Sequence, residues 1–222
     1  MKLKIIKIYS KPIPNEYMQT KHKSQEELDR EYEYNELIQK CEEYRLREQK
    51  RQLKIKFKEY KSSFQFTIMT SRFTNATFQE NSNYLKKNAH IKCIYGSPNQ
   101  LAESIMVDSK LFILELNIDT NRIMGIGFIT NHPILNKFKI YSSGNYNRFA
   151  FVGSKRVDRT ELLAEEEEIM KALDRLCFYG RSHLKNGKGL LQFPYYLLYY
   201  CSKQIDFVTF IQNIFIRKFT SI

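Results

Sequence analysis

The sequence predicts an α+β protein: a small, partly closed mixed β-barrel flanked by helices, with an N-terminal strand and a long basic helix ahead of it. Three observations carry that expectation. Residues 109–130, SKLFILELNIDTNRIMGIGFIT, read as a hairpin, with Leu111, Phe112, Ile113, Leu114, Leu116 and Ile118 on one arm and Ile123, Met124, Ile126 and Phe128 on the other, joined by a turn at Asp119, Thr120 and Asn121. Apolar residues occupy both parities of each arm, so both sheet faces must be covered. Helix-period stripes lie on either side, at 24–52 and 158–180.

Taken in order, Met1 to Tyr9 is strand-like, with lysines alternating against Leu3 and Ile5, and Pro12 and Pro14 end it. From Ser24 to about Gln52 a charged helix carries Leu28, Tyr32, Leu37, Ile38, Cys41 and Tyr44 along one broad stripe. That stripe is rich in Tyr and poor in Leu, so the helix should lie against the domain or a protein partner and not form a coiled coil alone. Leu53, Ile55 and Phe57 then alternate with lysines as in a strand with a basic outer face, a continued helix being the alternative. The chain thus divides into an arm, 1–52, and an α+β domain, 53–222, with a C-terminal helical extension.

Within the domain, Phe64, Phe66 and Ile68 open a strand, and a loop and helix follow over 71–88. A short strand at 91–95, a Gly-Ser-Pro-Asn turn and a short helix over 99–105 lead into the hairpin. Gly125 and Gly127 share one face of its return arm, which reads first as a barrel bend and otherwise as a place where missing side chains admit a helix, another backbone or a ligand. Phe138 with Ile140, and Phe149 to Val152, read as strands. Asp158 and Glu161 resemble a capping box before the stripe Leu162, Leu163, Ile169, Met170, Leu173 and Leu176, which ends at Gly180. Asp206 caps a last helix through Val208, Ile211, Ile214 and Phe215.

The 222 residues hold 36 Lys and Arg against 24 Asp and Glu, a net charge of +12. Such an excess favours polyanions as partners. Half of it sits between 45 and 61, where Arg45, Arg47, Lys50, Arg51, Lys54, Lys56, Lys58 and Lys61 face only Glu48 and Glu59. A second basic stretch, 180–189, sets Arg181, His183, Lys185 and Lys188 among three glycines; backbone N–H groups and cations there suit a phosphate. It lacks the Walker spacing. Four dispersed cysteines and no signal-peptide core read as reduced thiols in an intracellular, cytoplasmic protein. The longest apolar run, 190–201, is broken by Gln192 and Pro194 and is too short to span a bilayer, so no membrane partner is expected. Heavy use of Lys, Asn, Ile and Tyr without Trp suits an AT-rich genome, such as that of a protist or a large DNA virus.

Catalytic and metal patterns are thin. His90 and Cys93 have no second pair at zinc spacing. Gly125 and Gly127 run toward Pro133 and not into a helix, so the dinucleotide fingerprint fails. Asp108 with Glu115 and Asn117 faintly resembles a metal-dependent nuclease motif that has lost its lysine, and Glu115 reads better as a structural or edge-facing carboxylate. No enzyme, metal or cofactor is expected.

The order FQFTIMTS (64–71), a helix, IKCIYGS (91–97), a short helix, KLFILE (110–115) and IMGIGFI (123–129) resembles the PUA-like superfamily, particularly its EVE and YTH branch, over about residues 63–130. The resemblance implies a pocket that takes RNA or a modified base, with Ser71, Phe73 and Asn75 on one wall and Tyr95, Ser97 and Asn99 on the other. An unstacked base gains about 1–3 kcal/mol on an aromatic face. YTH-type pockets cage a methyl group with tryptophans, and this chain has none.

The function expected is RNA binding, with a modified nucleotide or messenger 5′ end as a variant and the two basic stretches holding backbone phosphates. The competing expectation is a viral scaffold protein acting through the long helix and Tyr195, Tyr196, Tyr199 and Tyr200.

Overall fold

The computed structural model describes residues 23–64, 66–135, 138–181 and 183–219. The strand expected at 1–9 lies outside the described residues. The chain divides into two units, residues 1–53 and 54–222.

Helix α1 (Gln25–Ser62) begins in the first unit. Ser24 starts it as a capping box: its hydroxyl accepts from the Glu27 N–H at 3.3 Å, and the Glu27 carboxylate accepts from the Ser24 N–H at 2.9 Å. Ion pairs one turn apart, Glu36 with Lys40 and Glu43 with Arg47, line its surface. No residue of α1 is buried, and Leu28, Tyr32, Tyr34, Leu37, Ile38, Tyr44 and Leu46 are all exposed.

The second unit shows why 53–58 is not a strand. Phe57, Tyr60 and Phe64 recur at helical spacing and are half-buried, whereas Ile55, which a strand would place with Phe57, is exposed. Phe57 meets the rings of Tyr199 and Tyr200 edge-on at 5.0 and 5.8 Å, and Tyr60 meets Tyr199 at 5.4 Å. Those contacts hold the helical period through Ser62.

The strands are β1 (Thr67–Phe73), β2 (Cys93–Ser97), β3 (Lys110–Asn117), β4 (Arg122–Thr130), β5 (Ile134–Leu135), β6 (Phe149–Gly153), β7 (Lys155–Asp158) and β8 (Leu190–Gln192). Helices α2 (Asn75–Lys87), α3 (Ala164–Phe178), α4 (Tyr195–Cys201) and α5 (Phe207–Lys218) accompany them. No closed barrel forms among the described residues; the strands divide into a sheet ordered β7-β4-β3-β1-β8 and a smaller one ordered β2-β6-β5. β1 and β3 are parallel, Thr67 beside Leu111 through Phe73 beside Asn117, and α2 with β2 makes the crossover that a parallel pair requires.

Strand parity explains the layers. Phe112, Leu114 and Leu116 share a core with Met170, Leu173 and Cys177 of α3 and Val208, Ile211 and Phe215 of α5. Leu111 and Ile113, on the opposite face, share a second core with Ile94, Tyr95, Phe151 and Tyr141. Leu111, Phe112, Ile113, Leu114 and Leu116 of β3 are all fully buried, and each contributes about 1.5–3 kcal/mol.

Other departures have local causes. β1 continues through Arg72 and Phe73, because its whole length pairs with β3. Residues 99–105 form turns, not a helix: the Ser97 hydroxyl donates to the Asn99 carbonyl at 2.6 Å, and the segment is too short to nucleate a helix alone. Phe138 to Ile140 is not a strand, since the N–H groups of Ile140 and Tyr141 donate to the Asn147 side chain at 2.9 and 3.0 Å. The capping box at Asp158 opens a short 3₁₀ turn, 159–161, and α3 begins after it. Asp206 caps α5 as expected, accepting from the N–H groups of Val208 and Thr209. No described helix is long and apolar enough to cross a membrane.

Candidate nucleic-acid interface

A cavity of about 210 Å³ opens at the carboxyl ends of the parallel strands β1 and β3. Ser71, Arg72 and Phe73 form its floor, because β8 pairs only with residues 69–71 and leaves the last residues of β1 uncovered on that side. Ile118, just beyond β3, closes one end. Thr74, Thr77 and Glu80 of α2 form a wall, with Thr74 and Thr77 locked in a reciprocal capping box. Tyr141 and Tyr146 face them, and Lys185, Gly187 and Gly189 complete the rim.

Two glycines make that closure possible. A β-carbon on Gly96 would overlap the Tyr146 carbonyl and lie 2.7 Å from the Tyr141 ring, so only glycine lets the 141–146 segment press on β2. Gly189 has φ +66°, and a β-carbon there would overlap the Ser97 hydroxyl.

The charges of the cavity are unbalanced. Arg72 Nε donates to the Leu184 carbonyl at 2.6 Å, while its Nη1 is buried without a hydrogen-bond partner. Burial lowers its pKa, and no carboxylate forms an ion pair with it among the described residues. Glu80 Oε1 accepts from the Ser142 N–H at 3.2 Å, and its Oε2 is likewise buried and unpartnered. Tyr141 is fixed by the Asn81 amide, which donates to its hydroxyl at 2.9 Å. Burial pushes the Tyr141 phenol well up, so it stays neutral.

Of the base-pocket residues expected from sequence, Ser71 and Phe73 line the cavity. Tyr95 does not. It is fully buried beneath the large sheet, where its hydroxyl donates to Glu115 Oε1 at 2.7 Å, so it cannot offer a ring to a ligand. Asn75 sits at the start of α2, accepting from the Asn117 amide at 2.9 Å while its N–H donates to Asp119 at 2.7 Å; it ties the hairpin turn to the helix. Ser97 is buried and turned toward Asn99, which is itself exposed.

Of the phosphate-binding residues expected, only Lys185 lines the cavity. Arg181 and Lys188 are exposed beside it in sequence, and His183 is half-buried with Nδ1 unpartnered. Arg45, Arg47, Lys50, Arg51, Lys54, Lys56 and Lys58 are exposed or nearly so along α1, where Arg51 pairs with Glu48 at 2.8 Å. Residues missed at sequence level are Arg72, Glu80, Tyr141 and Tyr146. A cation in the otherwise uncharged run TIMTSRF was the one signal available for Arg72.

Glu115 belongs to a separate buried network. Arg156 donates to it through Nε at 2.8 Å and Nη2 at 2.6 Å, and through Nη1 to Asp158 at 2.9 Å. Burial alone would lower the Arg156 pKa, but the Glu115 carboxylate outweighs it and the net shift is upward. The carboxylate is thereby occupied by a cation and a phenol, as the structural reading of the sequence expects. Asp108 lies on an exposed turn with His132 at 3.2 Å. Cys93 is buried and its thiol donates to the Lys155 carbonyl, while His90 is exposed.

No protein-family model matches the chain, and no curated protein matches it.

Proposed function

We propose that the chain binds single-stranded RNA, taking one unstacked base into the cavity at the ends of β1 and β3 and a neighbouring phosphate onto Arg72 and Lys185. The observation that carries this reading is the meeting, in the lining of one small cavity, of Phe73, Tyr141 and Tyr146 with an arginine that has no acidic partner among the described residues. Its volume, about 210 Å³, falls below the roughly 300–1,000 Å³ of drug-sized sites and suits one base. The +12 charge and the exposed cations of α1 add sequence-independent attraction to the backbone. In this reading the two sheets are a variant of the PUA-like arrangement, and a modified nucleotide or messenger 5′ end in the cytoplasm is the natural target.

The test is fluorescence anisotropy with labelled single-stranded RNA across a salt series. Affinity should fall steeply with salt, and Tyr146→Ala should weaken binding by the roughly 1–3 kcal/mol of one base stack. Absence of binding at low salt, or indifference to Tyr146→Ala, would sink the reading.

A second reading rests on its own observation. Between Gln25 and Leu53 no residue of α1 is buried, and seven large apolar side chains stand exposed. Such a surface suits a protein partner, as a scaffold protein would need. Sedimentation of the full chain at high salt checks self-association through it; Tyr32→Glu with Leu37→Glu should abolish any dimer.

A further inference from the structure

We propose that the cavity selects guanine, with Glu80 as the residue that reads the base; the inference rests on the RNA-binding reading above. Two residues that line this cavity each carry a buried polar atom without a hydrogen-bond partner among the described residues, one of each polarity: the acceptor Glu80 Oε2 and the donor Arg72 Nη1. Native proteins rarely leave such groups open unless something completes them. Neither forms an ion pair among the described residues, so a ligand that satisfies both must carry donors as well as negative charge. A bare anion would be repelled by Glu80, and a bare cation by Arg72 and Lys185.

Nucleotides meet that demand to different degrees. Guanine presents two adjacent N–H donors, N1–H and the N2 amino group, and one carboxylate accepts both. Adenine and cytosine place a single amino group beside a bare ring nitrogen, an acceptor that opposes a carboxylate. Uracil flanks its one N–H with two carbonyl oxygens, which oppose it as well. Among the described residues Glu80 Oε1 accepts one N–H, from Ser142, so it keeps capacity for a second donor, and Oε2 has no partner. Tyr146, half-buried in the lining, supplies a flat apolar wall for the ring, with the buried Phe73 and Tyr141 behind it. The phosphate that guanine carries completes Arg72, with Lys185 on the same rim.

Calorimetric titration of the full chain with GMP, AMP, CMP, UMP and inosine 5′-monophosphate, which lacks the N2 amino group, tests the assignment. GMP should bind about tenfold tighter than the others, with the inosine nucleotide between, as expected for a two-donor contact. Glu80→Gln keeps the shape but turns one acceptor into a donor, and should level the series while leaving the melting temperature near that of the parent chain. Equal binding of all five nucleotides, or a GMP preference that survives Glu80→Gln, overturns guanine selection and leaves RNA binding standing. If neither nucleotides nor single-stranded RNA bind, both readings fall together.

Discussion

The hydroxyl of Tyr95 occupies the space that a side chain at residue 127 would need: a β-carbon built on Gly127 would overlap it and lie 2.8 Å from the ring carbon Cζ. The bare face of the return strand is thus filled by a phenol from the smaller sheet. Gly127→Ala should cost about 1–3 kcal/mol by overpacking, read by urea denaturation. Gly144→Ala, which meets nothing within 4 Å, should change stability by less than about 0.5 kcal/mol. Equal effects would show that Tyr95 yields freely.

The same phenol donates to Glu115, which is paired twice with Arg156. Glu115→Ala leaves the guanidinium with Asp158 alone and should cost about 3–5 kcal/mol. Tyr95→Phe removes one hydrogen bond and should cost about 1–2 kcal/mol. Both losses should be the same with and without magnesium; a magnesium-dependent loss at Glu115 would instead point to a metal role.

Helix α1 beyond residue 53 offers a backbone test. A proline inside a helix costs about 3 kcal/mol, whereas an edge strand tolerates it far better. Lys58→Pro should therefore lower both melting temperature and helical circular dichroism. A neutral outcome would contradict the edge-on packing of Phe57 and Tyr60 on Tyr199.

Thiol reactivity should sort the four cysteines. Burial pushes Cys93 up to about 12 and Cys177 higher still, and raises Cys201 less. A disulfide reagent at pH 8 should modify exposed Cys41 first, Cys201 slowly, and the other two only on unfolding. Mass spectrometry of partly labelled protein gives the order; early labelling of Cys93 would refute its burial.

Acid should destabilise the fold through carboxylates held low. Hydrogen bonds from Arg159 lower Glu167, and in Asp158 the Thr160 N–H and Arg156 outweigh a burial effect of opposite sign. Groups with depressed folded pKa values stabilise above the ordinary carboxylate range, and that stability is lost as pH falls through the folded values, below about pH 4. Asp174 runs the other way, raised by burial despite Arg159, so its protonation offsets part of the loss. Glu167→Gln should flatten the acid limb of stability against pH, and Asp174→Asn should steepen it. No change in either variant would refute the assignment.

What the sequence determined by itself was local and periodic. The hairpin at 109–130, coverage of both sheet faces, the helical stripe through Ile169, Met170, Leu173 and Leu176 and the Asp206 cap were legible because apolar parity and capping chemistry act over a few residues, whereas the start expected at Asp158 proved to be a separate 3₁₀ turn. Alternation at 53–58 misled, since positions 53 and 57 fit a strand and a helix equally, and only the tyrosines of α4, some 140 residues on, settle the period. Tertiary structure alone decided the site. Tyr95 and Phe73 look alike in sequence and are both buried, yet one is closed beneath a glycine and the other, at the end of its strand, lines the cavity with Arg72 and Tyr146. The physical reason is that a cavity is made by where strands stop pairing, and that depends on partners distant in the chain.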